Sequence, residues 1–141
     1  MKFSNKHGQV SLHREQNIII ANFCGNLNAS LVTSFSNCLF EQVSQLANKP
    51  WGYISDSQNL LAATPQAEQQ LTVLASAMVR NGCIASAYIF DSAIVINQMQ
   101  RIIHNAGLSV DVRHRLFKCL VQAKTFVHQT MNDNAAQFHS A

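Results

Sequence analysis

Charged residues are scarce in this sequence. Asp, Glu, Lys and Arg make up only 12% of its 141 residues, about half of the ~25% that is usual for soluble proteins. Hydrophobic residues make up 48%, and the formal net charge is only +3. A chain with this much apolar material and this little net charge can form a core, which excludes intrinsic disorder. Its length suits a single domain.

Long hydrophobic runs are also missing. No stretch approaches the ~18 apolar residues that a membrane-spanning helix needs, so we expect no transmembrane segment. The first eight residues contain Lys2, Lys6 and His7 and have no apolar stretch of the kind found in a signal peptide. We therefore expect a cytoplasmic protein.

The common signatures of metal sites, cofactors and catalysis are absent too. The four cysteines are too far apart for a CxxC pair, and the six histidines show neither HxH nor HExxH spacing. There is no GxGxxG, no P-loop and no nucleophile elbow. We expect reduced cysteines, no metal, no cofactor and no enzymatic activity.

The hydrophobic pattern predicts alternating strands and helices. Val10 and Leu12 alternate with polar residues, and Ile18–Cys24 is a short β-branched run that Gly25 ends. Two strands this close in sequence predict an antiparallel hairpin. Further strands are predicted at 51–56, 83–90 and 110–112, and residues 57–63 are predicted to be a loop.

Four helices are predicted between and after these strands. Apolar residues recur at helical spacing in each, and the inward faces of the second and third are predicted to include Val79 and Ile94. Asn26 or Asn28 is predicted to cap the first helix, Thr64 followed by Pro65 the second, and Asp91-Ser92 the third. The last helix is predicted to start at about Leu116.

The predicted order is β-β-α-β-α-β-α-β-α. Strands that alternate with helices require a mostly parallel sheet, to which the opening hairpin adds one antiparallel strand. We predict one α/β domain over residues 8–131, a disordered or extended N-terminus over 1–7, and a frayed C-terminal tail over 132–141.

This order, at this length, resembles the STAS domain, and more closely the small stand-alone bacterial SpoIIAA-like proteins. The likeness covers roughly residues 8–131. Two short motifs carry the likeness. The connection from the second strand into the first helix is Gly25-Asn26-Leu27-Asn28, and the connection into the third strand is Lys49-Pro50-Trp51. The resemblance implies a regulatory or binding module rather than an enzyme.

The resemblance also implies a loop for phosphorylation or partner contact after the third strand. In the family's anti-sigma-factor antagonists, a Ser or Thr beside an Asp is phosphorylated there, at a helix start. The corresponding residues are Asp56, Ser57, Asn59 and Thr64, although this chain has no Asp-Ser-Gly. Thr64 has two interpretations: a phospho-acceptor, because helix N-termini attract phosphate, or a helix cap alone.

Two further sets of residues have alternative interpretations. Asp56 and Asp91, which is followed by Ser92, come after strands whose ends can meet at a binding edge. Capping or turn roles are the favoured interpretation of both, because no partner at a diagnostic spacing supports a binding site. Trp51 and Tyr53 lie on one face of a strand. They form either core or the wall of an apolar pocket.

The positive charge is concentrated near the C-terminus. Residues 101–128 contain five of the ten Lys and Arg residues and a single acidic residue, Asp111. Arg113, Arg115 and Lys118 precede the last helix or lie at its start, where cations oppose the helix dipole. We predict a mild basic surface here, which is either a solvated helix start or a contact for an anion. We do not expect nucleic acid, because core residues interrupt the run.

These observations together favour a non-enzymatic regulatory or interaction module that acts through an unidentified protein partner or a small ligand. The low charge also suits a homodimer, because the cores of interfaces contain few charged residues. The alternative is a carrier of a small apolar or lipid-like ligand in a pocket near Trp51 and Tyr53.

Overall fold

The structure, a computed structural model, describes the backbone of residues 1–139 and the side chains of residues 1–134. Six strands and four helices occur in this part of the chain. In chain order they are β1 (Lys2–Ser4), β2 (Gly8–Glu15), β3 (Ile18–Leu27), α1 (Ala29–Ser44), β4 (Trp51–Asp56), β5 (Leu60–Ala63), α2 (Pro65–Arg80), β6 (Cys83–Ile89), α3 (Ala93–Asn105) and α4 (Leu120–His139).

The strands form one mixed sheet. Its order is β1-β2-β3-β4-β6, and β5 pairs with the end of β3. β2 is antiparallel to both of its neighbours, β1 and β3, whereas β4 and β5 run parallel to β3, and β6 runs parallel to β4. The predicted α/β fold with an antiparallel hairpin joined to a parallel sheet is confirmed.

The hairpin of β2 and β3 follows from their hydrophobic pattern. Val10 and Leu12 are buried on one face of β2, and His13, nearer the end of the same strand, is exposed. Gln16 and Asn17 make the two-residue turn, in which Gln16 has a positive φ of 55°. Ile18, Ile19 and Ile20 are all buried because helices cover both faces of β3.

The helices lie on both sides of the sheet. Buried side chains of α1, α2 and α3 join one core cluster, which contains Phe35, Leu74 and Ile103. On the opposite face α4 contributes Ala123 and Val127 to a second cluster with the isoleucines of β3 and β4. α4 approaches so closely that a Cβ at Gly52 would collide with the side chain of Val127.

Local capping positions three of the helices as predicted. The side-chain oxygen of Asn28 accepts a hydrogen bond from the backbone N–H of Leu31 at 3.0 Å, which caps α1. The Thr64 hydroxyl accepts from Ala67 N–H at 3.2 Å, with Pro65 at the first helical position of α2. Ser92 rather than Asp91 caps α3.

The strand predictions need three corrections. Gly25 does not end β3, because its φ of +76° allows a bulge after which the strand continues to Leu27. The predicted loop over 57–63 contains strand β5, whose apolar residues pair with this extension of β3. No strand forms at 110–112. Residues Val112–Arg115 instead form a short 3-10 turn, because the Asp111 side chain caps it.

The helix predictions need two corrections. α4 begins at Leu120 rather than Leu116, because Leu116 makes an isolated parallel bridge to Tyr88 and Phe117 N–H donates to the Tyr88 carbonyl. Val79 and Ile94, predicted to point inward, are 48% and 70% exposed.

Both chain ends carry regular structure. β1 lies within the predicted N-terminal segment 1–7, and α4 extends through residues 132–139 of the predicted tail. Residues 140 and 141 of that tail lie outside the described residues. The domain boundaries at 8 and 131 stay predictions.

Candidate ligand-binding site

A cavity of about 320 Å³ lies between the sheet and the helices α2 and α3. β4 and β6 form its floor, the two helices form its sides, and residues 108–110 with Arg115 complete its wall. Small-molecule sites usually measure ~300–1,000 Å³, and an apolar cavity of ~150 Å³ suffices to bind benzene. The cavity is therefore large enough for a small ligand.

The walls of the cavity are mainly apolar. Regular helical spacing on α2 directs Leu71, Leu74 and Met78 inward. Ala75, on the same helix, lines the cavity with only a methyl group, and a small residue at this place leaves room. Other apolar wall residues come from α1, α3 and the segment after α3; they are Phe35, Met99, Ile103, Leu108 and Val110.

β6, which forms part of the floor of the cavity, lies at the edge of the sheet. Among the described residues, β6 pairs with β4 on one side only, and its other side has a single bridge at Leu116. Residues 108–110 pass this edge without forming a strand. Leu108, Ser109 and Val110 nevertheless line the cavity together with residues of β6.

Polar groups on the floor are uncharged at neutral pH. Burial raises the pKa of Tyr88 to about 12 and that of Cys83 to about 12. Burial also raises the pKa of Tyr53 far above its ordinary value of 10.0. The Tyr88 hydroxyl lies 3.5 Å from the Ser86 hydroxyl. The floor thus offers neutral hydroxyl and thiol groups but no anion.

The structure separates Tyr53 from Trp51. The sequence predicted that both residues form either a pocket wall or part of the core. Tyr53 lines the cavity and is also part of the core cluster. Trp51 is fully buried outside the cavity, where its ring N–H donates to the Asn81 carbonyl at 2.8 Å. The register shift between Trp51 and Gly52 accompanies this difference.

The predicted contact loop has one buried hydroxyl and one exposed threonine. Ser57 is 1% exposed; its hydroxyl lies 2.9 Å from that of Ser55 and accepts a hydrogen bond from Phe23 N–H. A phosphate on Ser57 would have to fit inside the core. Asn59 and Thr64 are exposed, and the Thr64 hydroxyl caps α2. Phosphorylation of either hydroxyl stays a prediction.

Asp56 and Asp91 follow neighbouring strands at the same edge of the sheet. Asp56 is half-buried opposite Ile89, and Asp91 is exposed two residues later. Ser92 caps α3 and leaves Asp91 without a capping role. Among the side chains of residues 1–134, no three His, Cys, Asp or Glu come together in an arrangement that could hold a metal ion.

The structure disperses the basic segment. Arg101 of α3 forms an ion pair with Glu68 of α2, and Lys124 of α4 pairs with Glu15 at the end of β2. Arg113 contacts Asn97, and Lys118 is exposed. Only Arg115, of these five cations, lines the cavity.

Most residues of the cavity could not be identified from the sequence. Cys83, Ser86, Tyr88 and Met99 belong to patterns that equally describe a filled core. Arg115 was predicted as an anion contact because a cation before a helix start lacks a structural explanation. No signal in the chain linked it to Tyr53, because the two meet only through the packing of β4, β6 and the 3-10 turn.

Comparison with known proteins addresses the fold. No protein-family model and no curated protein matches the sequence. Among solved structures, the chain is similar to an uncharacterised protein of the DUF3478 family with a SpoIIAA-like fold from Shewanella loihica PV-4. The TM-score is 0.65 and the identity 15%, over 89% of this chain and 98% of that one. This chain has a SpoIIAA-like fold.

Two other structures share the SpoIIAA-like fold of this chain. SLC26A9 gives a TM-score of 0.59 at 16% identity, over 88% of this chain and 22% of that one. An anti-sigma factor antagonist from Mycobacterium paratuberculosis gives 0.55 at 12% identity, over 84% and 92%. The resemblance to STAS domains expected from the sequence is thus confirmed for the fold. No described helix is both long and apolar enough to cross a membrane.

Proposed function

We propose that this protein is a non-enzymatic regulatory or interaction module that acts by binding a small, mostly apolar molecule. The observation that carries the proposal is the cavity of about 320 Å³ with apolar walls and a neutral polar floor. Apolar sites with a few polar groups are the usual form of small-molecule sites. The SpoIIAA-like fold, shared with an anti-sigma factor antagonist, supports a regulatory role.

Native mass spectrometry tests this proposal on protein freshly purified from its native cell. We expect a non-covalent small molecule in addition to the 15.6 kDa chain. Replacing Ala75 by Phe puts a ring into the cavity, and this variant should lose both the co-purifying mass and the binding of added 1-octanol.

Ala77→Phe is the matched control. Ala77 lies on the same helix but faces a groove between α1 and α2, not the cavity. This variant should retain the ligand. Wild-type protein without any co-purifying mass, together with equal 1-octanol binding by the wild type and Ala75→Phe, would contradict the proposal.

A second candidate function is protein binding at the end of the sheet where β4 and β6 finish. Leu61 of β5 and Ile94 of α3 are 60% and 70% exposed. Ile94 lies one turn before Gln98, whose side chain bonds to both backbone groups of Ala63 in β5. Exposed apolar side chains beside the contact loop favour a protein partner here.

A pull-down from the native cell distinguishes the two candidates. Protein binding at this edge is supported if the wild type and Ala75→Phe capture the same partner and the double variant Leu61→Ser/Ile94→Ser does not. If Ala75→Phe fails to capture the partner and the double variant still does, the partner instead depends on the cavity.

A further inference from the structure

Arg115 lies at the wall of the cavity in a fixed position. Its Nη1 donates to the Ser86 carbonyl at 3.3 Å, and its guanidinium carbon lies 5.6 Å from the centre of the Phe126 ring. The 3-10 turn that carries Arg115 is anchored by fully buried Val112, whose backbone N–H donates to the Gln100 side chain at 3.0 Å. The guanidinium is therefore held at the edge of β6, between Phe126 of α4 and Ser86, and both Ser86 and Arg115 line the cavity.

The charge of Arg115 has no carboxylate within 4 Å among the described residues. The contrast with Arg101 is informative, because both guanidinium contacts of Arg101 go to the carboxylate of Glu68. The carboxylates of Glu15 and Asp111 face Lys124 and His114. One neutral carbonyl contact leaves most of the donor groups of Arg115 free to bind something else.

The positive charge also acts inside the cavity. Although burial raises the pKa of both Cys83 and Tyr88, the charge of Arg115 acts to lower each of them. Arg115 is the one charged side chain among the residues that line this cavity. The cavity therefore combines apolar walls with a single positive charge at one side.

On the basis of the function proposed above, we infer that the ligand is an anionic amphiphile, a monocarboxylate with an apolar body. Its carboxylate would bind the guanidinium of Arg115 while its apolar body occupies the space between α2, α3 and β6. Guanidinium suits this role because its planar fork matches a carboxylate. A single charge on the ligand matches a single charge in the site.

The size of the cavity suits a medium-chain ligand. The volume of about 320 Å³ is about twice that of the ~150 Å³ apolar cavity that binds benzene. Octanoate has about ten non-hydrogen atoms and is a matching probe. 1-Octanol has the same chain without the charge.

The test measures the affinities of octanoate and 1-octanol by NMR titration at neutral pH and moderate salt. Wild-type protein should bind octanoate about tenfold more tightly, because hydrogen bonds to charged groups are the stronger ones. Arg115→Met should remove that advantage by weakening octanoate binding much more than 1-octanol binding, and the binding of 1-octanol that remains shows that the variant folds. Arg113→Met removes an exposed cation of the same turn that does not line the cavity, and should change neither affinity.

The outcomes separate the inference from the proposed function. If the wild type and Arg115→Met each bind octanoate and 1-octanol with equal affinity, the inference of an anionic ligand is overturned. The proposal of a module that binds an apolar ligand would still stand. A parallel loss of both probes in Arg115→Met would show that Arg115 only shapes the cavity, which also overturns the inference. No binding of either probe to wild type would overturn the proposed function as well.

Discussion

Thr64 illustrates how one residue can carry both a structural and a regulatory interpretation. Its hydroxyl accepts from Ala67 N–H, and Pro65 follows at the first position of α2. These contacts account for a threonine at this place without a phosphate. The exposed position at a helix N-terminus nevertheless leaves Thr64 accessible to a kinase, whereas the hydroxyl of Ser57 is buried in the core.

Thr64→Ala should lower the free energy of unfolding by about 1 kcal/mol, because the variant loses the N-cap of α2. Urea denaturation measures the change, and Thr64→Ser should restore most of the loss. Thr125→Ala is the matched control: this exposed threonine inside α4 bonds only to the Val121 carbonyl one turn back. A loss in Thr125→Ala as large as in Thr64→Ala would contradict the capping role.

Residue-scale rules predicted the caps well, since a cap depends on a few consecutive residues. Asn28, Thr64 and Ser92 each bond to the N–H three residues later. The same rules failed where a residue's partners are distant in sequence. Gly25 was predicted to end β3, but β5 pairs with the chain beyond it.

At the scale of elements, the ion pair of Glu68 and Arg101 joins the two helices that enclose the cavity. Gln98 of α3 also donates to Glu68 at 3.0 Å and bonds to Ala63. α2, α3 and β5 are therefore connected by one polar cluster. The Arg101 guanidinium holds the pKa of the Glu68 carboxyl below its ordinary value of 4.5, and Gln98 acts in the same direction.

The stabilisation from Glu68 should disappear in acid. A carboxyl whose pKa is lower in the folded chain stabilises it above the unfolded value and loses that effect as pH falls through the folded value. At pH 7 Glu68→Gln should therefore be less stable than wild type. The difference should shrink as pH falls below 4.5, as measured by thermal unfolding between pH 7 and pH 3.

Glu41→Gln provides the control for this series. Glu41 is exposed on α1 and has no ion pair within the described part of the chain. Its stability difference from wild type should stay nearly constant with pH. A Glu68→Gln difference that is equally constant would show that the charge of Glu68 does not link α2 to α3.

At the scale of the whole molecule, the distribution of charged and apolar side chains over the surface determines where a partner could bind. The mild basic surface predicted from residues 101–128 does not form one patch, because Arg101 and Lys124 pair with carboxylates from α2 and β2. Exposed apolar side chains occur instead at Leu61 and Ile94. This apolar edge, rather than a charged patch, is the surface that favours contact with a protein.

The homodimer stays a prediction, and sedimentation tests it. The low charge of the chain favours a species of twice 15.6 kDa at micromolar concentration. Ile94→Asp should shift the sedimenting species from dimer towards monomer, because this substitution puts a charge on the apolar edge. Val121→Asp changes a side chain of similar exposure on α4 and should leave the mass unchanged. Wild-type protein that sediments only as a 15.6 kDa monomer would contradict the dimer.

The sequence by itself determined the alternation of strands and helices, the opening hairpin and the caps, because these depend on periodicity and on neighbouring residues. Only the tertiary structure decided where the chain leaves space. The cavity is lined by residues of α1, β4, α2, β6 and α3, by residues 108–110 and by Arg115. Tyr53, Ala75 and Arg115 line it together although they are distant in sequence. Their meeting depends on long-range packing, which no local pattern specifies.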